Sequence, residues 1–528
     1  METEENPNSY TQNDALNVPQ KLSEDIVPLA EAMKPGALLE GVSSLLSWDQ
    51  ETYMPFGSAE LRSQQLSLIA KLTHEHALAL STHLEPYLNT KTGELSTKGL
   101  SLSDVEQRLL HRIFQDWRKE TAVSTELVGQ LSEATSQAIQ AWKTARDSDD
   151  FSVFAPHLET LVSLSKERAN QIDPDAPVYD VLLDDYEPGM TGETLNPLFK
   201  DLRAELVSLL EELRSSSRGQ SPDFVALNGP FDTEKQWQFG ITLLKKMGYD
   251  FEKGRQDKSL HPFTIGNHPH DSRITTRLDE KDLMEALSSS VHEGGHALYE
   301  QGLLAQFFGT PLCQSSSLGI HESQSRLWEN YVCKSEGFWQ GHYPELQRLF
   351  PKQLGIVSCT DFYHSINQVK PSLIRVGADE LTYNLHIMIR YELEKDLFNG
   401  RLSVRDLPDA WDSLYQEYLG IVPSHLSEGV LQDIHWASGL FGYFPTYALG
   451  NLYGRQLMDT AFNELPTLED DIRLGHFSEL RDWLRVNIHQ KGRLYTAEEI
   501  SFNASGKKLG ITPFMSYLST KYKGIYNV

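Results

Sequence analysis

The chain has 528 residues and carries 47 Lys and Arg against 74 Asp and Glu, a formal net charge of -27 with His neutral. With 39% hydrophobic and 10% aromatic residues it holds enough apolar material for a large core, which excludes disorder over the whole chain. A balance this acidic argues against nucleic acid or an anionic membrane as partner, because both attract basic surfaces.

Residues 1–20 are polar, contain two Pro and show no apolar period, which predicts a disordered tail. The same stretch has no basic start and no apolar run, so no secretory signal is expected and the protein is read as soluble and cytoplasmic. From about Leu22 the pattern is mostly helical. Between Ser103 and Ser148, Val105, Leu109, Leu110, Ile113 and Phe114 recur at three- and four-residue spacing, and Leu198, Leu202, Leu206, Leu209 and Leu213 repeat the pattern in Thr194–Ser216. Both are amphipathic helix patterns and are read as core contacts. Residues 261–278, HPFTIGNHPHDSRITTRL, differ: two Pro, Gly266 and an alternating run predict two short strands joined by a turn. Two stretches without Asp, Glu, Lys or Arg, Gln301–His321 and Ile434–Gly454, are broken by Gly, Pro and polar residues and are not read as membrane spans. Cys313, Cys333 and Cys359 are an odd number without CxxC spacing, which argues against a disulfide framework. With no composition break after residue 20 and no evident repeat, one helical unit over 21–528 is expected.

The chemistry concentrates in residues 291–300, VHEGGHALYE. His292, Glu293 and His296 form H-E-x-x-H. Residues four apart share one face of a helix, so two imidazoles grip one metal ion while the intervening carboxylate reaches water. Chance alone yields this pattern in roughly one chain in twenty of this His content, so a third ligand matters. IHESQSRLWEN (320–330) supplies candidates. Glu322, 26 residues after His296, leaves room for a loop through Gly309-Thr310-Pro311 and a returning helix. Glu329 is its rival or a supporting group, and Glu300 points along the same helix as the histidines. Gly294 and Gly295 cost roughly 1 kcal/mol each in a helix and imply that substrate backbone or a neighbouring strand packs close. Further polar residues sit in apolar surroundings: Arg375, Asp379 and Glu380 in a helix expected over 374–390, and Gln432, Asp433, His435, Tyr443 and Tyr447 in 429–451.

Eight segments in order carry a resemblance: LLSWDQETYMP (45–55), YDVLLDDYEPGMT (179–191), HPF (261–263), Asp-x-Arg-x-Thr at Asp271–Thr275, HEGGH (292–296), HESQS (321–325), Ile-Arg-x-x-Ala-Asp at Ile374–Asp379 and GVLQDIHW (429–436). With them the chain resembles the carboxypeptidase Taq family of metallocarboxypeptidases. The resemblance implies a mostly α, elongated multi-helix fold with a deep central groove and a small β-sheet next to the metal, similar to neurolysin-like peptidases. It implies one divalent metal held by His292, His296 and Glu322, with Glu293 as general base. Zinc is the first expectation, with cobalt and manganese equally suited to two His and one Glu. It further implies release of single residues from free peptide C-termini with broad tolerance, and a homodimer.

Given that reaction, the tetrahedral oxyanion needs donors. Tyr443, in a Gly-aromatic stretch read as flexible, is the first candidate and His435 the second. A free carboxylate favours an always-charged bidentate partner. Arg375 and Arg273 are the candidates, against structural pairing with Asp379 and Asp271. His261 is read as contacting substrate or buttressing the sheet. The competing readings are a dipeptidyl carboxypeptidase or oligopeptidase on the same fold, and an inactive peptide-binding scaffold.

Overall fold

The apolar stripes become helices. In the computed structural model, which describes residues 18–220 and 224–528, the 103–148 pattern splits into helices Asp104–Ala122 and Thr125–Ser148. The break has a local cause. Ser124 leaves helical geometry and its hydroxyl accepts from the Leu127 amide, restarting the helix as an N-cap. The 194–216 pattern lies in the helix Gly192–Ser215, which buries Leu202, Leu206, Leu209 and Leu213. The expected tail over 1–20 lies outside the described residues up to residue 17, and Val18 already packs against the core. Buried apolar side chains from Ile26 to Tyr526 join in one cluster. Among the described residues no helix is long and apolar enough to cross a membrane.

The sheet has three strands rather than two: β1 (Gly254–Lys258), β2 (Thr264–His268) and β3 (Asp271–Thr276), in the order β1-β3-β2. β2 and β3 are the expected antiparallel pair, and β1 adds in parallel on the other side of β3, setting Arg255 beside Arg273. β1 carries no apolar residue; an Arg255–Asp257 ion pair covers it at 2.5 Å. Thr276 at the end of β3 shares a 2.7 Å hydrogen bond with Ser289. That contact fixes the sheet to the helix Leu283–Gly302, which bears the H-E-x-x-H motif.

The helix expected over 374–390 begins later, at Tyr383, and runs to Phe398. Arg375 sits before it on a short 3-10 turn, Arg375–Gly377. The delay comes from Asp379, whose carboxylate accepts from the amides of Leu381 and Thr382 and from the Thr382 hydroxyl. A side chain that captures those donors competes with an earlier helical start. The Tyr383–Phe398 helix is buried on nearly every side, so its polar residues need partners inside the protein.

Candidate metal centre and active site

The motif helix starts at Asp282, whose carboxylate accepts from the amides of Met284 and Glu285. Its two glycines are contact points between helices, not for substrate or a strand. A Cβ on Gly295 would lie 2.7 Å from the Gln324 carbonyl oxygen and the Ser325 Cα, and one on Gly294 would lie 2.5 Å from the Leu244 side chain. Backbone therefore meets backbone where this helix crosses the next, Leu318–Arg326, itself capped by Ser317. That crossing brings Glu322 opposite the histidines. Its Oε2 lies 3.6 Å from His292 Nε2 and 3.3 Å from His296 Nε2. One ligand atom from each of the three residues falls within 4.8 Å of the others, so the cluster could hold a metal ion.

The donor set fits a divalent cation. Burial, then the neighbouring His321, hold His296 down to about 3, so its lone pair is available. Burial opposes charge on His292 too, but Glu322 and Glu329 outweigh it and raise its pKa. Glu329 binds His292 Nδ1 at 2.9 Å and turns Nε2 toward Glu322, the support that ligating imidazoles commonly have. Arg326 spans both acids, donating to Glu322 Oε1 at 2.7 Å and to Glu329 Oε2 at 3.2 Å. Lys334 holds the other oxygen of Glu329 at 2.9 Å. Glu300 is turned away from the ligands and engaged by His321 at 2.8 Å, while the His321 ring stacks on His296.

Glu293 is 6% exposed, and its Oε2 accepts from the Thr264 hydroxyl of β2 at 2.6 Å. Burial raises its pKa, with His292 and Thr264 opposing. A wall of aromatic side chains feels the charge of Glu322: Tyr383, Tyr443 and Tyr447. His435 stands beside it with Nε2 3.2 Å from the Tyr447 hydroxyl and its ring 5.4 Å from that of Tyr443. Burial, then Arg375, hold His435 down to about 3, so it is neutral. The stretch around Tyr443, expected to be flexible, is tethered: the Gly442 amide donates to buried Glu394 at 3.0 Å.

Arg375 is 6% exposed and does not pair with Asp379. Its Nε and Nη2 donate to Asp433 at 3.0 and 2.8 Å, and Nη1 donates to the Tyr383 hydroxyl at 3.0 Å. Asp433 also accepts from Arg390 at 2.6 Å, so one carboxylate serves two guanidinium groups. Tyr383 links this cluster to the ligands, because Arg326 lies over its ring at 4.5 Å. Arg273 grips Asp271 through two bonds and lies over Trp48. His261 is exposed. Thus His292, Glu293, His296 and Glu322 come together, with Tyr443, His435 and Arg375 on the adjoining wall. Arg273 is neutralised by its own strand, and His261 stays at the surface. Sequence reasoning missed Arg326 and Thr264. Arg326 was open to detection four residues after Glu322 on one helix face; Thr264 gave no signal.

An almost all-helical fold with a small sheet beside an H-E-x-x-H helix and a returning carboxylate is that of a helical metallopeptidase. The family model described as carboxypeptidase Taq (M32) metallopeptidase matches residues 28–522. The chain belongs to that family and is a metallocarboxypeptidase. It is 41% identical to thermostable carboxypeptidase 1 of Thermus thermophilus, covering 94% of this chain and 98% of that one. It is 37% identical to carboxypeptidase 1 of Bacillus subtilis, covering 92% and 95%. The crystal structure of the M32 carboxypeptidase from Deinococcus radiodurans R1 superposes with a TM-score of 0.90 at 39% identity, over 96% of this chain and all of that one.

Proposed function

We propose that this metallocarboxypeptidase removes single residues from free peptide C-termini with broad side-chain tolerance, using His292, His296 and Glu322 as metal ligands and Glu293 as general base. The observation that carries the reading is the shared carboxylate of Asp433. Two guanidinium groups share this one acid beside the ligand cluster, and Glu394, which feels the charge of Arg390, is itself pushed up to about 7 by burial, so an incoming carboxylate would meet positive charge that is not fully offset. Arg375 has five N–H donors; three are used by Asp433 and Tyr383, and the other two, one on each terminal nitrogen, form a fork suited to a carboxylate. Arg390 is fully buried, so Arg375 is the one that substrate would meet.

A divalent ion held by these ligands supplies Lewis acidity to the scissile carbonyl and to water. Glu293 takes the proton from the attacking water and hands it to the leaving amine. Thr264 keeps the carboxylate aimed by occupying one of its oxygens. Tyr443 donates to the developing oxyanion, and neutral His435 aligns the substrate backbone. Zinc suits two imidazole nitrogens and one carboxylate; elemental analysis of protein purified without added metal checks it. Mass spectrometry of products from one peptide, offered as free acid and as C-terminal amide, tests the reaction. Stepwise single-residue losses from the acid alone are expected. Dipeptide release, or equal cleavage of the amide, would replace this reading with a dipeptidyl carboxypeptidase or an oligopeptidase.

The homodimer also belongs to this proposal. Exposed apolar side chains on the first two long helices, Val27–Thr52 and Ala59–Ala79, among them Leu38, Leu61 and Leu68, support it as a face that a second copy would cover. Light scattering should give about twice the chain mass of 59.9 kDa; the single-chain mass at all concentrations would refute it.

A further inference from the structure

The motif Tyr179–Thr191 has no part in the chemistry above, yet its first nine residues touch both halves of the site. At one end, the Tyr179 hydroxyl donates to Glu394 at 2.8 Å. Glu394 is fully buried on the Tyr383–Phe398 helix and also accepts from the Trp436 indole at 2.8 Å and the Gly442 amide at 3.0 Å. Those two donors are the immediate neighbours of His435 and Tyr443. Between the ends, the backbone of Leu182 and Leu183 presses on Gly442. That residue has φ +85°, and a Cβ there would lie 2.8 Å from both the Leu182 carbonyl carbon and the Leu183 nitrogen. The Tyr186 ring meets Tyr443 edge-on at 5.1 Å.

At the other end, the same segment holds the first turn of the helix that carries Glu322. The Tyr186 carbonyl accepts from the Leu318 amide at 3.0 Å, and the Glu187 carboxyl accepts from the Gly319 amide. Glu187 is 1% exposed. The segment itself is anchored from outside by Asp185 on Arg168 at 2.7 Å and by an ion pair of Asp184 with Lys119.

Two buried acids without a full ion-pair partner are costly. Burial pushes Glu187 up to about 8 and Glu394 up to about 7, against the donors that face them. Both residues hold backbone or ring donors that adjoin the site on either side. We infer that Tyr179–Glu187 is a strap setting the distance between the Glu322 helix and the His435–Tyr443 loop, with Glu187 and Glu394 as positioning residues at its two ends. The inference rests, for the loop end, on the reading of Tyr443 and His435 as substrate-facing donors.

The two ends make different demands. Glu187→Ala frees the start of the Glu322 helix and should weaken metal binding, read by competition with a chromophoric chelator, by about 10- to 100-fold, the range for groups that orient ligands. Glu187→Gln retains a carbonyl acceptor for the Gly319 amide and should restore affinity to within a few-fold. Tyr179→Phe and Glu394→Gln should leave metal affinity within about twofold, yet lower kcat by roughly 10- to 100-fold with little change in KM, as expected when a reacting group is misplaced by about an ångström. Tyr443→Phe separates the two readings. If it leaves kcat intact, Tyr443 is not the donor, and the strap stands or falls on the metal affinities of the two Glu187 variants. Wild-type metal affinity in Glu187→Ala would overturn the strap, as would lower thermal stability in all four strap variants without the split between metal affinity and kcat.

Discussion

Glu293→Gln should lower kcat by about a hundred- to ten-thousand-fold, the usual worth of a positioned general base, while the protein keeps its metal. Gln has nearly the shape of Glu and can still accept the hydrogen bond that Thr264 donates at 2.6 Å, so the local packing survives. What it loses is the ability to take a proton. Burial raises the Glu293 carboxyl from its ordinary value, with His292 and the Thr264 hydroxyl opposing. The measurement is kcat together with metal stoichiometry for the two proteins. A variant that loses metal and regains full turnover on reconstitution would show that Glu293 supports the ligands and is not the base.

Arg375→Ala should remove most of the preference for a free C-terminus. Removing one partner of a desolvated charge pair costs about 2–5 kcal/mol, or ~30-fold to several thousandfold. That loss should fall on the peptide acid and scarcely on its amide, which offers no charge to the fork. The competing view, in which Arg375 only steadies Asp433 and Tyr383, predicts equal proportional losses on both peptides and a lower melting temperature. Arg273→Ala is the comparison, because its guanidinium is already spent on Asp271. Specificity constants for one peptide as acid and amide across the three proteins decide it. If the preference survives in Arg375→Ala and collapses in Arg273→Ala, the clamp lies on β3.

The parts of the site legible in the sequence were those set by short spacing. His292, Glu293 and His296 share a helix face by arithmetic, and Glu322 needed only a loop and a returning helix. The apolar stripes located the helices because burial on one side imposes a period. Strand β1 was invisible because its cover is a pair of charges, Arg255 and Asp257, where the pattern looks for apolar residues. The structural alternative weighed for Arg375, pairing with Asp379, fails for a related reason: that acid is spent on capping the backbone. The acid that matters, Asp433, arrives from 58 residues away. Glu187 stood inside the quoted segment 179–191 with no role read for it, and Glu394 gave no signal, since a carboxylate held by backbone amides and an indole has no spacing rule.

The meeting of Gly295 with the Gln324–Ser325 backbone also governs how the molecule comes apart. At that point no side chain separates the two helices, so a shift there has no soft layer to compress and sets backbone against backbone. Partial opening, in which one ligand drifts away while the others remain, is resisted at this crossing, and the Glu187 contact to the first turn of the Glu322 helix adds to that resistance. The centre and the helices around it therefore form one cooperative unit. On heating, the catalytic pocket should persist until the surrounding fold gives way, and then be lost with it in a single step.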